Sequence, residues 1–425
     1  MSLTVNAAVN APQLRLGRQS YRNAQASNRP ELHGNRKSTG KSVFRGIRGQ
    51  SRLYYRMEFF AQASPGTEHA LRDELCELGL QSVRLNRGGI PFRGSWADGW
   101  RACLHSRIAQ RVQLLLGVYQ AASPDALYQL AAGVDWTPYI SPAQTLAVGT
   151  YCRSSIFTHS GATALKVKDA VVDQMRQKYG RRPDIDRDNP DVRVFVYIAE
   201  TKVKLYLDLS GKPLHKRGYR TETGAAPLRE NIAAALLRIS GWDRESALAD
   251  PMCGSGTIAI EAALWAGNTA PGLFRKQFGF ERWANFGASE AASLKELRQE
   301  AWSMRHKQTP AIFASDADPD VLKAARNNAR NAGVKIRFRQ VRIEDLQMSE
   351  KVATVVTNPP YDERLRTTSE NCREIGAALS RMHGAKVCLL TGNPALDRYI
   401  PAAPIQKMPM KNGNLNCECR VYDMP

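Results

Sequence analysis

The chain has 425 residues, 60 Lys and Arg against 40 Asp and Glu, and 43% hydrophobic residues, for a formal charge of +20. So much apolar material excludes a wholly disordered or fibrous chain, and the length suits two or three domains. Apolar runs fall short of the ~18 residues that span a bilayer, because Arg238 divides Ile232 to Ile239 and Glu261 divides Ile258 to Ala266, so no membrane partner is expected.

Residues 1–53 hold ten Lys and Arg against one acid, Glu31, a net +9. Rich in Asn, Gln, Ser, Ala and Gly and without a helical or strand period, this stretch reads as a disordered basic arm, since it cannot bury enough to offset its ordering entropy. A solvated extension, a nonspecific phosphate-binding tail and an organelle transit peptide all share this composition. Residues 54–220 carry +7 and residues 221–425 carry +4, which points the N-terminal half toward an anionic partner.

From Met57 the pattern becomes that of a folded unit. Met57 to Ala61 reads as a strand, and Ser64-Pro65-Gly66-Thr67 offers caps for a helix to Leu78, with Leu71, Leu75 and Leu78 on one face. Val83 to Leu85 and Ile90 to Phe92 flank Arg87-Gly88-Gly89 as a hairpin. Helices follow at Trp96 to Cys103, Ala126 to Ala132 and Ala164 to Tyr179, with strands at Leu146 to Cys152, Val192 to Ile198 and Val203 to Asp208. Asp184 to Pro190 is a loop, and the whole suggests an α+β module that closes on the basic His215, Lys216, Arg217 and Arg220.

From Pro227 helices alternate with short apolar strands. Helix Leu228 to Ile239 leads to strand Ala247 to Ala249, a glycine turn and helix Ile258 to Ala266; strand Ile312 to Ser315 and helix Val321 to Ala332 follow. Then come strands Lys335 to Arg339 and Thr354 to Thr357, a helix near Asn371 to Met382, strand Lys386 to Leu390 and a hairpin turn at Asn412-Gly413-Asn414. This alternation predicts an α/β fold with a doubly wound, mainly parallel sheet. Of eight cysteines (Cys76, Cys103, Cys152, Cys253, Cys372, Cys388, Cys417 and Cys419) only the last two are close, as C-x-C. That spacing implies no zinc or disulfide framework, so no metal is expected and reduced thiols in the cytoplasm are the simple reading.

Three motifs carry chemistry. Asp250-Pro251-Met252-Cys253-Gly254-Ser255-Gly256-Thr257 lies between a strand and a helix, where glycines let backbone approach a ligand and the helix start offers unpaired N–H groups. A glycine turn alone is weak, but Asp250 ends one strand and Asp316, in Ser315-Asp316-Ala317-Asp318, ends the next. A carboxylate there suits vicinal ribose hydroxyls, and its distance from the turn implies an insertion over roughly Gly267 to Pro310. The plainer role of capping the helix at Pro319 fits Asp318 better than Asp316. Third, Thr357-Asn358-Pro359-Pro360-Tyr361 ends a buried strand: the Asn358 amide oxygen and the Pro359 carbonyl make two acceptors for a planar NH2 group, and Tyr361 can stack on the ring that carries it.

D-P-x-C-G-S-G-T, S-D-x-D and N-P-P-Y in this order resemble the Rossmann-like class I S-adenosylmethionine-dependent methyltransferases that modify exocyclic amines. The N-terminal half resembles a ferredoxin-like unit plus a THUMP domain, notably in Ala164 to Ala170, Pro183 to Asp188, and Leu207 to Gly211 running on to Arg217-Gly218-Tyr219-Arg220. Together, over about residues 57–425, the chain is similar to the THUMP-domain 23S ribosomal RNA guanine-N2-methyltransferases.

The resemblance implies a 1–53 arm, a 54–220 ferredoxin-like and THUMP RNA-binding region and a 221–425 methyltransferase domain. S-adenosylmethionine would be held by Asp250, Cys253, Gly254, Ser255, Gly256 and Asp316, and Pro227 to Asn231 would border the same pocket. The family often has an Asp after the third strand for the adenine amine. Here the run is Arg342-Ile343-Glu344-Asp345, so Asp345, Glu344 or backbone groups take that role. Asn358, Pro359, Pro360 and Tyr361 would hold the target amine; Asp362 and Glu363 are weak candidates for the proton, and Cys253 is a packed residue rather than a nucleophile. Lys166, Lys168, Arg181, Arg182, Lys216, Arg217 and Arg220 are the RNA-binding nominees. The expected partner is 23S rRNA or a large-subunit assembly intermediate, bound by a monomer or weak homo-oligomer. N-P-P-Y also serves DNA adenine and protein glutamine methyltransferases, so it does not name the substrate. A tRNA guanine-N2-methyltransferase is the nearest rival and a non-catalytic RNA-binding assembly factor a further one. Because the chain stops at Pro425, a second methyltransferase domain is not expected.

Overall fold

Alternation of buried and exposed residues in the first strands builds one side of the molecule. In the computed structural model, which describes residues 57–221, 228–348, 350–360 and 369–425, Phe59 and Ala61 of β1 (Met57–Gln62) are fully buried while Phe60 and Gln62 are not. The basic arm, Pro227, Tyr361, Asp362 and Glu363 lie outside the described residues. β2 (Gly89–Gly94), β3 (Arg111–Gln120), β4 (Thr145–Arg153), β5 (Asp184–Ile185), β6 (Val192–Ala199) and β7 (Lys202–Asp208) join β1 in one seven-stranded sheet, in the order β2-β1-β3-β7-β6-β4-β5. The sheet therefore runs unbroken from the first small module into the second.

Its apolar face packs on α1 (Glu68–Glu77), α2 (Trp96–His105), α3 (Pro124–Ala132) and α4 (Ser160–Tyr179). Leu71 and Leu75 of α1 and Val167, Val171 and Met175 of α4 are completely buried, each worth about 1.5–3 kcal/mol on transfer from water. Ser95 caps α2, its hydroxyl accepting from the Asp98 amide while Asp98 accepts from the Ser95 amide at 2.8 Å. The expected hairpin at Val83 to Phe92 is a correction: its second arm, β2, pairs with β1, while Val83 to Leu85 forms no strand and meets β2 through the Arg84 amide donating to the Pro91 carbonyl at 3.2 Å, next to the isolated bridge Gln81 to Arg93. β2 aligns its buried Ile90 and Phe92 with the buried side of β1, which a lone hairpin cannot offer.

The second half is a doubly wound sheet. β8 (Leu248–Asp250), β9 (Ile312–Asp316), β10 (Arg337–Gln340), β11 (Thr354–Thr357) and β12 (Lys386–Thr391) are parallel, and β14 (Leu415–Asp423) and β13 (Gln406–Asn412) close it antiparallel, in the order β10-β9-β8-β11-β12-β14-β13. The helices are α5 (Glu230–Ile239), α6 (Thr257–Ala266), α7 (Ala288–Ser303), α8 (Pro319–Asn331) and α9 (Ser369–Ser380). Strand order reverses between β8 and β11, and a crevice opens at such a point beyond the carboxyl ends of the strands.

The segment between α6 and β9, anticipated only as an insertion, holds the halves together. Phe280 stacks on Trp100 of α2 at 5.5 Å, Trp283 meets Trp96 edge-on at 5.9 Å, and Leu294 and Ala301 of α7 enter the core of the N-terminal half. Among the described residues no helix is long and apolar enough to cross a membrane.

Candidate active site

The crevice at the strand-order reversal is a cleft of about 1670 Å³, open mouth included. Asp250, Pro251, Met252, Cys253, Gly254 and Ser255 line it from β8 and the turn; Asp316 lines it from β9; Asn358, Pro359 and Pro360 line it from the end of β11. Three motifs more than a hundred residues apart end to end thus share one space. Gly256 is not in the lining. It sits at φ +83° one residue before α6, and a Cβ there would stand 3.1 Å from that of Ala325, so glycine serves the packing of α6 on α8. Gly254, at φ +52°, has open space where a Cβ would stand, as close approach of a ligand requires.

Asp316 has two tasks. Its Oδ2 accepts from the Gly254 amide at 2.8 Å, holding the glycine turn, and its Oδ1 accepts from the Asp318 amide at 3.1 Å. A carboxylate has about four lone-pair sites, so capacity for hydroxyl donors remains. Asp318 caps α8 by accepting from the Asp320 and Val321 amides at 2.8 and 3.3 Å.

Asp250 is buried, and neither carboxylate oxygen has a hydrogen-bond partner. Burial pushes its pKa up to about 7, with the nearby Thr357 hydroxyl opposing the rise and the Asp316 charge adding to it. The Asn358 amide oxygen is buried without a partner too. Unpaired buried acceptors cost free energy, about 1–3 kcal/mol each, which a ligand bearing N–H or O–H groups would recover. Cys253 is buried, its Sγ faces the Gly254 carbonyl at 3.5 Å, and burial first, then Asp250 and Asp316, raise its thiol pKa; this is a packed thiol.

Asp345 does not line the cleft, and neither does Glu344, whose carboxylate pairs with Arg342 at 2.5 Å. Val341 and Ile343 line it instead, so the segment after β10 offers apolar side chains and backbone there. Of the run before α5, Leu228 borders the cleft, whereas Asn231 turns the other way and donates to Ser64 Oγ at 2.9 Å in the N-terminal half. Sequence reasoning missed Asn371, Glu374 and Ile375 of α9, and Asn412 and Leu415 at the β13–β14 turn, all of which face the cleft. The hairpin was legible; its reach over the site was not.

Models of known families match the chain in three segments: an RlmL ferredoxin-like domain over residues 58–113, a THUMP domain over 121–208 and an RMKL-like methyltransferase domain over 217–420. A Synechocystis protein named "Putative RNA methyltransferase slr0064" is 35% identical over 372 residues, 86% of this chain and 96% of its own length. The chain belongs to the RMKL-like family of THUMP-domain methyltransferases. Ribosomal RNA large subunit methyltransferase K/L of Syntrophotalea carbinolica is 41% identical over 383 residues, 87% of this chain and 54% of the relative. The chain thus spans about half the length of such K/L relatives. The solved structure of SMU.472, "a putative methyltransferase complexed with SAH", superposes with a TM-score of 0.77 at 26% identity, covering 88% of this chain and 99% of that one.

The basic residues nominated for RNA in this RMKL-like chain divide sharply. Arg181, Arg182 and Lys216 are exposed; Lys166 pairs with Asp125 at 2.9 Å and Lys168 with Asp169 at 2.5 Å, both at the surface. Arg217 is a correction. It is 1% exposed, donates to the Leu214 and Arg107 carbonyls, and faces Glu261 of α6 at 3.4 Å, with the Tyr219 hydroxyl on the same carboxylate at 3.0 Å. Arg220 is another: it donates to the Leu228 carbonyl and Thr257 Oγ1, each at 2.7 Å, and pairs with Glu230 at 3.4 Å. A buried guanidinium needs such partners and is not offered to phosphate. These two arginines fasten the N-terminal half to the helices beside the cleft.

Proposed function

We propose that this chain transfers the methyl group of S-adenosylmethionine to the exocyclic N2 amine of a guanosine in 23S ribosomal RNA. The observation that carries the reading is the buried, unpartnered Asn358 amide oxygen at the end of β11, in the same cleft as the Asp250 carboxylate and the Asp316-held glycine turn. The residues fit the cofactor. Asp250 offers a buried carboxylate to an ammonium group, Asp316 keeps lone pairs for ribose hydroxyls, Gly254 leaves room for close approach, and Val341 and Ile343 suit the faces of a purine. When bound, S-adenosylmethionine supplies an electrophilic methyl on a sulfonium centre.

Asn358 Oδ1 and the Pro359 carbonyl accept the two hydrogens of the guanine amine, hold its weakly nucleophilic nitrogen in line, and stabilise the positive charge that grows on it. No covalent enzyme intermediate is needed, in keeping with the buried, raised Cys253 thiol. Residues 54–220 bind the RNA and residues 221–425 perform the transfer, in the cytoplasm where ribosomal RNA is made in bacteria. The similarity to the K/L relatives and the THUMP match support a ribosomal substrate.

The test is methylation of total RNA from a strain lacking this protein, followed by nucleoside mass spectrometry of separated RNA species. A gain of N2-methylguanosine in 23S rRNA is expected. No gain in any RNA sinks the enzymatic reading, and a gain confined to tRNA sinks the ribosomal one.

A further inference from the structure

The second face of the N-terminal sheet is built differently from the first. Strand register sets its side chains in rows that cross the sheet. One row runs Leu115, Tyr206, Phe195, Gly149; the next runs Val118, Lys204, Tyr197, Tyr151; the next runs Gln120, Lys202, Ala199, Arg153. None of these residues belongs to the buried core cluster, whose members on the same strands are the alternate Leu114, Val194, Val196, Ile198, Val203, Leu205 and Leu207.

Aromatic rings collect on this face. Tyr151 and Tyr197 lie parallel, 5.5 Å apart with 7° between their planes, and Tyr151 is 53% exposed. Toward β1, Phe60 lies 5.9 Å from the buried Tyr206, beside a cleft of about 660 Å³ whose lining includes Glu58, Phe60, Arg84, Asn86, Lys204 and Tyr206. The last two rows carry Lys204, Lys202 and Arg153 and no carboxylate. Lys204 is held below its ordinary pKa by partial burial first and then by the charge of Lys202, with the Glu58 carboxylate opposing the shift.

We propose that this face is a stacking platform for single-stranded RNA, with unpaired bases on Tyr151 and Tyr197 and the backbone along Arg153, Lys202 and Lys204. Exposed rings interleaved with cations on a sheet suit a strand whose bases are free of pairing, because every base has a π-face and every nucleotide a phosphate. A duplex hides its base faces and would meet only the charges. The inference rests on the proposed RNA substrate and adds which part of the molecule holds unpaired nucleotides.

The test uses the full-length protein and a fluorescein-labelled twelve-residue oligouridylate, about the upper range of what one such surface covers. Tyr151→Ala with Tyr197→Ala should weaken binding by about tenfold or more, given the usual worth of a stacked base. Tyr151→Phe with Tyr197→Phe should bind within about twofold of the parent, which separates ring stacking from loss of fold. Lys202→Gln with Lys204→Gln should flatten the dependence of log affinity on log salt by about 0.7 per cation removed. Unchanged oligouridylate binding by the alanine pair overturns the proposal, as does an equal loss of affinity for a duplex of the same length. A concentration-dependent dimer in sedimentation that the alanine pair dissociates would assign the face to self-association instead. S-adenosylmethionine binding and N2-methylguanosine formation by the parent protein are read separately, so failure of the platform is distinguishable from failure of the proposed reaction.

Discussion

Replacing Asp250 by Asn gives the sharpest test of the cleft. The folded protein keeps this carboxyl fully buried, and burial raises its pKa from 3.8 to about 7. At about 1.4 kcal/mol for each tenfold change in an ionisation constant, the ionised form costs the fold about 4 kcal/mol. The sign follows from which state holds the proton. Below about pH 4 both folded and unfolded chains are protonated there and the cost is absent. Between about pH 4 and 7 the unfolded chain releases the proton and the folded chain keeps it, so stability falls as pH rises; above about 7 the full cost is present.

Asp250→Asn removes the charge and keeps the shape. Urea denaturation of the ligand-free proteins should find the variant little different from the parent near pH 4 and more stable by about 3–4 kcal/mol near pH 8.5. Adding S-adenosylhomocysteine at saturation should reverse the order, because only the parent has a carboxylate for the ligand's amino group. A stability gap independent of pH would refute the reasoning, and tight ligand binding by Asp250→Asn would refute the role given to this carboxylate.

Four further outcomes follow from the same structure. Asn358→Ala should lower turnover by about a hundredfold or more while S-adenosylmethionine affinity, measured by calorimetry, stays within about twofold; near-normal turnover would remove the amine clamp. Arg217→Ala leaves the buried Glu261 carboxylate without its ion-pair partner, the Tyr219 hydroxyl remaining on it, and should destabilise the protein by about 3–5 kcal/mol in urea, whereas Lys216→Ala, at an exposed site, should stay within about 0.5 kcal/mol. Gly256→Ala forces a side chain to φ +83° against Ala325 and should cost about 1–3 kcal/mol, visible as a lower denaturation midpoint. Deleting residues 1–53, with their ten cations, should flatten the salt dependence of RNA affinity and leave turnover at saturating RNA unchanged; an unchanged slope would return the arm to a solvated extension.

Much of the cleft was legible before any coordinates. Asp250, the glycine turn, Asp316 and Asn358 could be found because each sits at a strand end, and strand ends are marked locally by apolar runs that stop at an acid, a glycine or a proline. Parallel pairing across a reversal of strand order then brings such ends together, whatever their separation along the chain. The segment after β10 was less legible. Its acids drew attention in the sequence, but Val341 and Ile343 line the cleft there, while the Glu344 carboxylate pairs with the Arg342 guanidinium.

The sequence by itself determined the two sheet classes, the helices between the strands, the order of the three motifs and the family, because these depend on periodicity and short-range chemistry. Tertiary structure alone decided that Arg217 and Arg220 are internal fasteners and not RNA contacts, and that the β13–β14 turn reaches the cleft. It also decided that Phe278, Phe280 and Trp283 of the insertion complete the core of the other half, and that Tyr151 and Tyr197 lie ring on ring at the surface. The reason is physical. Local pattern states which side of its own element a residue occupies, but only packing states what another element brings to that side, and a guanidinium reads the same in sequence whether it meets water, phosphate or a buried Glu261.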